Sequence, residues 1–273
     1  MSLPVSPATG AIRTNQPTIR WNPITDARGY TVEIRDASGT VVFSRDVSLD
    51  QTELLLSNGL GRGQQYTVIV SALGVIDADS QGEFFVISAE DEQELAAAEE
   101  GLSVFEKVEL YLNFPVIRPL YTDAIEALQR AIADNPDNFD YTLLLGHVYW
   151  EAELPQAKAQ YEGILNATTE PAVIAQAEVG LARVALDEQN REQAIALLES
   201  ALAKFETLGD TFSVAQTYQF LAEMNLETEP AVAQELYSQA LEAYQAVEPT
   251  SALPEEVLQR YIRVIQKEIS PDR

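Results

Sequence analysis

The sequence contains no cysteine, and His147 is its single histidine among 273 residues. The absence of cysteine excludes disulfide bonds, thiolate zinc sites and a cysteine nucleophile, but it leaves the redox compartment undecided. No motif that presents a serine nucleophile on a sharp turn accompanies the histidine. The sequence therefore predicts no catalytic residue, no metal site and no cofactor, and we expect a binding or surface role for His147.

Positive charge is also scarce. Lys and Arg number 17 against 43 Asp and Glu, which gives a net charge of −26 at pH 7, and most of the excess falls in residues 89–273. A surface this acidic repels phosphate groups, so neither nucleic acid nor an anionic membrane is an expected partner. Uninterrupted apolar runs of 18 residues are absent as well, so no insertion into a membrane is expected. The expected partner is a protein or peptide, and the oligomeric state stays undecided.

What the sequence does contain is one pattern written four times. A small, a large and a small or branched residue recur with the spacing i, i+4 and i+7 at Ala124-Leu128-Ala131, Ala157-Tyr161-Ile164, Ala194-Leu198-Ala201 and Ala233-Tyr237-Ala240. Three copies follow a second pair, Leu145-Gly146, Leu181-Ala182 and Leu221-Ala222. This spacing places the residues on one face of a helix, where small side chains let two helices approach closely. One helix pair cannot bury such a face alone, so the copies are expected to stack.

The pattern resembles the tetratricopeptide repeat, in which W-x2-L-G-x2-Y precedes A-x3-F-x2-A. The second copy is most similar, with Leu145, Gly146 and Tyr149 before Ala157 and Tyr161. The resemblance implies an all-α solenoid of about four helix pairs over residues 89–248, with a capping helix in 249–273. That last helix is expected to begin at Pro254 and to pack through Val257, Tyr261, Val264 and Ile265. The alternative is an ordinary helical bundle with alanine-rich faces.

Residues 11–88 follow a different period, of two, which is typical of strands. Short alternating runs separated by turn residues occur at Thr18–Trp21, Tyr30–Arg35, Thr40–Arg45, Glu53–Leu56, Tyr66–Ala72 and Gly82–Ile87. Pro17-x3-Trp21-x-Pro23, Gly29-Tyr30-x-Val32-x-Ile34 and Leu60-x5-Tyr66-x-Val68-x-Val70 resemble a fibronectin type III domain. The resemblance implies an antiparallel β-sandwich with Trp21 in its core and the Tyr66 hydroxyl bound to backbone just upstream. Residues 1–10, rich in Pro and Gly, are expected to be a tether.

The junction between these two parts has a helical period from Glu92 to Leu112, which predicts one long helix. Asn113–Leu120 is predicted to be a loop because Pro115 forbids a continuous helix. Thr169 and Thr228 each precede an early proline and are predicted to cap the helices that follow.

Candidate binding residues follow from the repeat resemblance. In that family, ligand contacts come mainly from the second, fifth, ninth, twelfth and thirteenth positions of each repeat's first helix. Carried over, this implies a partner-binding groove formed by Asp140, Leu143, His147, Trp150, Glu151, Gln176, Val179, Arg183, Leu186, Asp187, Gln216, Gln219, Glu223, Leu226 and Glu227. Trp150 is the expected aromatic anchor; the alternative is that it packs beneath the next repeat. One subfamily clamps a carboxylate with Lys and Asn, and Leu143 and His147 at the matching places disfavour such a clamp.

The sequence therefore favours a non-enzymatic adaptor. The acidic groove residues Asp140, Glu151, Asp187 and Glu223 are expected to favour a basic segment of the partner. The alternative is an accessory or spacer part of an exported or cell-envelope enzyme assembly, with the chemistry on another chain. The combination of the two folds favours export or the cell envelope over the cytoplasm.

Overall fold

The computed structural model describes residues 5–7, 9–76, 78–116, 118–250 and 253–269. Within these ranges eight strands precede ten α-helices. The strands are β1 Val5–Ser6, β2 Ala11–Ile12, β3 Thr18–Trp21, β4 Tyr30–Asp36, β5 Val41–Val47, β6 Glu53–Leu55, β7 Gln64–Ala72 and β8 Asp79–Val86. The helices are α1 Ala89–Ala98, α2 Val104–Asn113, α3 Tyr121–Asp134, α4 Phe139–Glu151, α5 Gln156–Ala167, α6 Pro171–Asp187, α7 Arg191–Leu208, α8 Thr211–Asn225, α9 Pro230–Ala246 and α10 Glu255–Ile269. The chain divides into two compact units, Met1–Ala157 and Lys158–Arg273.

The strands of the first unit form two sheets. One has the order β1-β3-β6, and the other has the order β2-β8-β7-β4-β5. The pairings are antiparallel except that β2 runs parallel to β8, with Ala11 opposite Phe85. The sequence analysis predicted purely antiparallel sheets. That prediction is wrong for the five-stranded sheet, which is mixed. A strand of two residues is too short to display a period of its own, so β2 left no signal in the sequence. Residues 5 and 6, within the predicted tether, pair with β3.

Buried side chains from both sheets form one hydrophobic cluster. It includes Ile19 and Leu54 of the smaller sheet and Val32 and Val68 of the larger one. Trp21 is 4% exposed and meets Tyr30 edge to face, with ring centroids 5.5 Å apart. The buried Tyr66 donates a hydrogen bond from its hydroxyl to the Gly61 carbonyl oxygen at 3.2 Å. The predictions of a core tryptophan and of a tyrosine bound to upstream backbone are thus confirmed.

The prediction of a single helix from Glu92 to Leu112 is wrong, because two helices, α1 and α2, occupy this stretch. The first ends at Ala98, and Gly101 adopts a left-handed conformation with φ +77°, which glycine tolerates without a steric penalty. Ser103 then caps α2: its hydroxyl accepts from the Glu106 amide at 3.3 Å, and the Glu106 carboxylate accepts from the Ser103 amide at 2.8 Å. This reciprocal capping box starts a new helix. The apolar period continued across the break and concealed it.

A group of polar side chains joins β2 to the first three helices within the first unit. Arg13, just after β2, donates to both carboxylate oxygens of Glu99 at 2.9 and 3.1 Å. The Tyr111 hydroxyl donates to Glu99 Oε2 at 2.7 Å, and Asp123 Oδ1 lies 3.8 Å from Arg13 Nε. The Ala11 amide also donates to the Pro119 carbonyl oxygen at 2.8 Å. Burial alone would raise the pKa of Glu99, but the hydrogen bonds from Tyr111 and Arg13 outweigh it and lower that pKa.

Asp123 in this group should make the stability of the protein depend on pH. Burial raises the pKa of Asp123 to about 7 from an ordinary value of 3.8; the charge of Arg13 opposes this shift, while Glu126 and Glu99 add to it. Between about pH 4 and pH 7 the unfolded chain therefore ionises Asp123 while the folded chain keeps it protonated, so stability falls as pH rises. Asp123→Asn has no ionisable group at this position, so its free energy of unfolding should rise relative to that of wild type as pH increases over that window.

Urea unfolding of wild type and Asp123→Asn across that pH window measures the difference. Every other carboxylate is common to both proteins, so the difference isolates Asp123. It should grow with pH and level off above about 7. Two parallel stability curves would show that Asp123 ionises normally in the folded protein.

The four small-large-small sets are buried as predicted. Their exposed fractions run from 0% to 6% at Ala124, Leu128, Ala131, Ala157, Tyr161, Ile164, Ala194, Leu198, Ala201, Ala233, Tyr237 and Ala240. The paired positions Leu145, Leu181, Ala182, Leu221 and Ala222 are buried as well. In the second unit α6 packs on α7, α8 packs on α9, and α10 packs on α9. The predicted pattern thus supplies the helix contacts of this unit.

One local prediction about helices is confirmed in part and another is wrong. Of the residues predicted to pack α10, Ile265 is buried and Tyr261 packs against the same hydrophobic cluster, but Val264 is 50% exposed. Leu258 and Ile262 are buried as well, because a neighbouring stripe of this helix has the same spacing. Pro171 and Pro230 open α6 and α9 as expected, but Thr169 and Thr228 cap neither helix, because Glu170 and Glu229 occupy the N-cap positions without a side-chain hydrogen bond.

Candidate functional site

Every predicted groove residue is either exposed or half-buried, and none is fully buried. Six of these positions are exposed: Asp140, Glu151, Gln176, Asp187, Gln216 and Glu223. Six are half-buried: Leu143, His147, Trp150, Val179, Arg183 and Gln219. Of the remaining three, Leu186 is half-buried, and Leu226 and Glu227 are exposed. These helices turn their small-residue faces inward, and this leaves the predicted contact positions accessible to a ligand.

Twelve of these fifteen residues define two surfaces, one in each unit. The α4 surface consists of Asp140, Leu143, His147, Trp150 and Glu151 in the first unit. The α6/α8 surface consists of Gln176, Val179, Arg183, Asp187, Gln216, Gln219 and Glu223 in the second unit.

On the α4 surface three side chains are brought together by helical spacing. The His147 ring stacks on the Trp150 ring, with centroids 5.8 Å apart and an interplanar angle of 21°. Its Nε2 atom lies 3.5 Å from Glu151 Oε1. Residues three and four positions apart are neighbours on a helix, which explains the cluster. These two contacts, a ring stack and a polar contact with a carboxylate, suit binding by stacking and hydrogen bonds.

An aromatic pair in the same unit was missed by the sequence analysis. Phe105 of α2 is 44% exposed, and its ring centroid lies 5.1 Å from that of Tyr141 on α4. Aromatic rings at this separation form a favourable contact and present a flat apolar surface. The first helix of the first repeat follows the family pattern poorly, so no contact positions were transferred to it. The sequence does place an aromatic residue in the first turn of both α2 and α4, and this was the signal that could have indicated the pair.

On the α6/α8 surface Arg183 is held against an aromatic ring. Its guanidinium carbon lies 5.7 Å from the centroid of Phe220, a cation–π arrangement between α6 and α8. Gln219 donates to Glu223 Oε1 at 2.8 Å and accepts from the Tyr244 hydroxyl at 2.9 Å. Burial raises the pKa of Tyr244 above its ordinary value, so that hydroxyl stays a donor. Gln219 and Glu223 are therefore orientated by a buried residue of α9.

Across the described ranges, no three His, Asp or Glu side chains are grouped so that they could hold a metal ion. The helices within those ranges include none that combines the length and apolar character needed to cross a membrane. The surfaces described above offer carboxylates, amides and aromatic rings, which recognise ligands by hydrogen bonds, charge and stacking.

Comparisons with known proteins agree with the repeat pattern. Residues 120–165 and residues 173–246 each match a family model described as tetratricopeptide repeat. The first match runs from the start of α3 into α5, and the second covers most of α6 through α9. No curated protein matches the chain. Such repeats are typically non-catalytic and generally mediate protein–protein interactions. The matches support tetratricopeptide repeats in the helical part of this chain, and with them a protein as the kind of partner.

Proposed function

We propose that this protein is a non-enzymatic scaffold that binds a peptide or helix of a partner protein through the first helices of its repeats. The observation that carries the proposal is the division of each repeat into two faces. The small-large-small sets are buried, while the fifteen predicted contact positions are exposed or half-buried. A half-buried surface with an aromatic ring and orientated polar groups has the composition of a protein-binding site.

The charge of these surfaces favours a basic segment in the partner. Asp140 and Glu151 are exposed on the α4 surface, and Asp187 and Glu223 are exposed on the α6/α8 surface. The cation Arg183 lies over the Phe220 ring. Complementary charge contributes mostly to selectivity and to the association rate, and salt weakens it. The chain's net charge of −26 acts in the same direction at long range.

Charge reversal on the α6/α8 surface tests the proposal. Asp187→Lys with Glu223→Lys should weaken binding of a basic peptide pool by about tenfold or more, which corresponds to about 1.4 kcal/mol. Isothermal titration of the full chain with basic and acidic peptide pools measures this. The control is Glu192→Lys with Glu199→Lys, which reverses two exposed charges on α7 and changes the net charge equally. Equal affinity for both pools, or equal loss in both double variants, would contradict the proposal.

For the strands we propose a fibronectin type III-like sandwich that serves as a spacer. The orders β1-β3-β6 and β5-β4-β7-β8, with Trp21 between the sheets and Tyr66 bound to Gly61, support this assignment.

A second candidate function is that of an accessory part of an exported or cell-envelope enzyme assembly. It is favoured by the direct attachment of β2 to α1–α3 through Arg13, which joins the strands to the first helices by side-chain contacts. Fractionation of cells that express the protein natively tests the proposed compartment. Recovery in the cytosolic fraction alone would contradict it.

A further inference from the structure

The last helix carries a basic cavity on a strongly acidic protein. Arg260, Arg263 and Lys267 of α10 line an open cavity of 690 Å³ together with Val264 and Ile269 and with Leu241 of α9. The three cations are spaced so that they follow one side of the helix. No acidic residue belongs to the described lining. The cavity therefore has a local charge opposite in sign to the net charge of the chain.

Among the described residues, two of the three cations of this cavity have no ion-pair partner. Elsewhere in the second unit, Lys158 forms an ion pair with Glu188 at 2.8 Å and Lys204 forms one with Glu178 at 2.9 Å. Within the part of the chain that the structure describes, Arg263 and Lys267 form no ion pair. Arg260 lies 3.6 Å from Glu256, and these side chains are 69% and 82% exposed, so that pair is weak.

The cavity also presents apolar surface. Val264 is 50% exposed because the helix packs inward through Leu258, Ile262 and Ile265 instead. Leu241 is half-buried on the neighbouring helix. The methylene stems of the arginine and lysine side chains add to this apolar surface while their charged groups reach solvent. A ligand that fits both features carries carboxylates beside an apolar side chain.

We infer that this cavity docks an acidic amphipathic segment of a partner protein, with its carboxylates on Arg263 and Lys267 and an apolar side chain on Val264. A polyphosphate ligand is disfavoured because the apolar surface of Val264 and Leu241 gives a phosphate chain no contact. A second copy of this chain is disfavoured because it brings the whole net charge of −26, whereas one acidic segment brings only its own few carboxylates. The inference does not depend on the proposed function, whose surfaces lie on other helices and favour the opposite charge.

Fluorescence anisotropy with the full chain tests this inference. The probe is a labelled peptide with Glu and Leu at helical spacing, and two companion peptides carry Gln or Lys in place of Glu. The Glu peptide should bind and the companions should bind at least about tenfold more weakly. Arg263→Glu with Lys267→Glu should weaken the Glu peptide by about tenfold or more, and Val264→Asp should do the same. Since all three positions are on the outer side of α10, circular dichroism should show unchanged helix content.

The matched control is Arg130→Glu with Arg20→Glu. It changes the net charge equally at exposed positions, where the side chains are 75% and 58% accessible, and binding should stay within about twofold of wild type. If both double variants lost the same affinity for the Glu peptide, net charge alone would explain the effect, and the inference would be overturned. Equal binding of the Glu and Gln peptides, or tighter binding of a single-stranded oligonucleotide, would also overturn it. A salt-sensitive dimer in sedimentation that is lost in Arg263→Glu with Lys267→Glu would overturn it in favour of self-association.

Discussion

Replacing Gly180 by alanine should lower the free energy of unfolding by about 1–3 kcal/mol, whereas the same change at Gly163 should raise it by about 0.4–1 kcal/mol. Both glycines lie inside helices, Gly163 in α5 and Gly180 in α6. A Cβ atom at Gly180 would lie 2.3 Å from Cζ of Tyr161, a ring that is 4% exposed and cannot move aside freely. At Gly163 the same atom would meet nothing within 4 Å.

The pair of variants separates packing from helix propensity. Alanine favours the helix over glycine by about 1 kcal/mol at either position, so a difference in sign reports the contact with Tyr161. Urea unfolding of wild type and both variants, at one pH, supplies the three free energies. A neutral or stabilising effect of Gly180→Ala would show that α5 and α6 separate easily. It would contradict the close approach of the Tyr161 ring to Gly180.

The repeat pattern was predictable because its physical cause is local in sequence. Ala194, Leu198 and Ala201 share a helix face whatever the neighbouring helix is, so their burial follows from spacing alone. The break at Gly101 was not predictable in this way, because Leu102 and Phe105 continue the apolar period across it. Where two stripes of a helix have the same spacing, as in α10, only the packed structure decides which one is buried.

The surface positions of the candidate site were predictable for the same reason, but their contacts were not. Arg183 and Phe220 are on different helices, and no spacing rule brings them together. In the sequence, the basic residues of α10 are compatible with nothing more than the exposed face of a terminal helix. Their role in a cavity became visible only once Leu241 of α9 was placed beside them. Contacts between different helices depend on how those helices pack, and the spacing of residues within one helix does not determine that packing.

Damage to one repeat should stay within the second unit. Ala201 of α7 is fully buried in a cluster with Ala175 and Phe205. Ala201→Leu adds three carbons to this close-packed site and should lower the free energy of unfolding by about 1–3 kcal/mol. In a repeat array contacts are made between neighbours, so the loss should spread to adjacent repeats and little further.

Hydrogen exchange on wild type and Ala201→Leu locates the loss. Amides in residues 175–245 should exchange faster in the variant, while residues 10–88, with Trp21 in their core, should keep their protection. Glu199→Leu is the control, because this exposed position on the same helix should tolerate the change within about 0.5 kcal/mol. Equal loss of protection in the strands and in the repeats would mean that the protein unfolds as one cooperative body. The strands would then depend on the second unit for their stability, which the nearest-neighbour character of stacked repeats argues against.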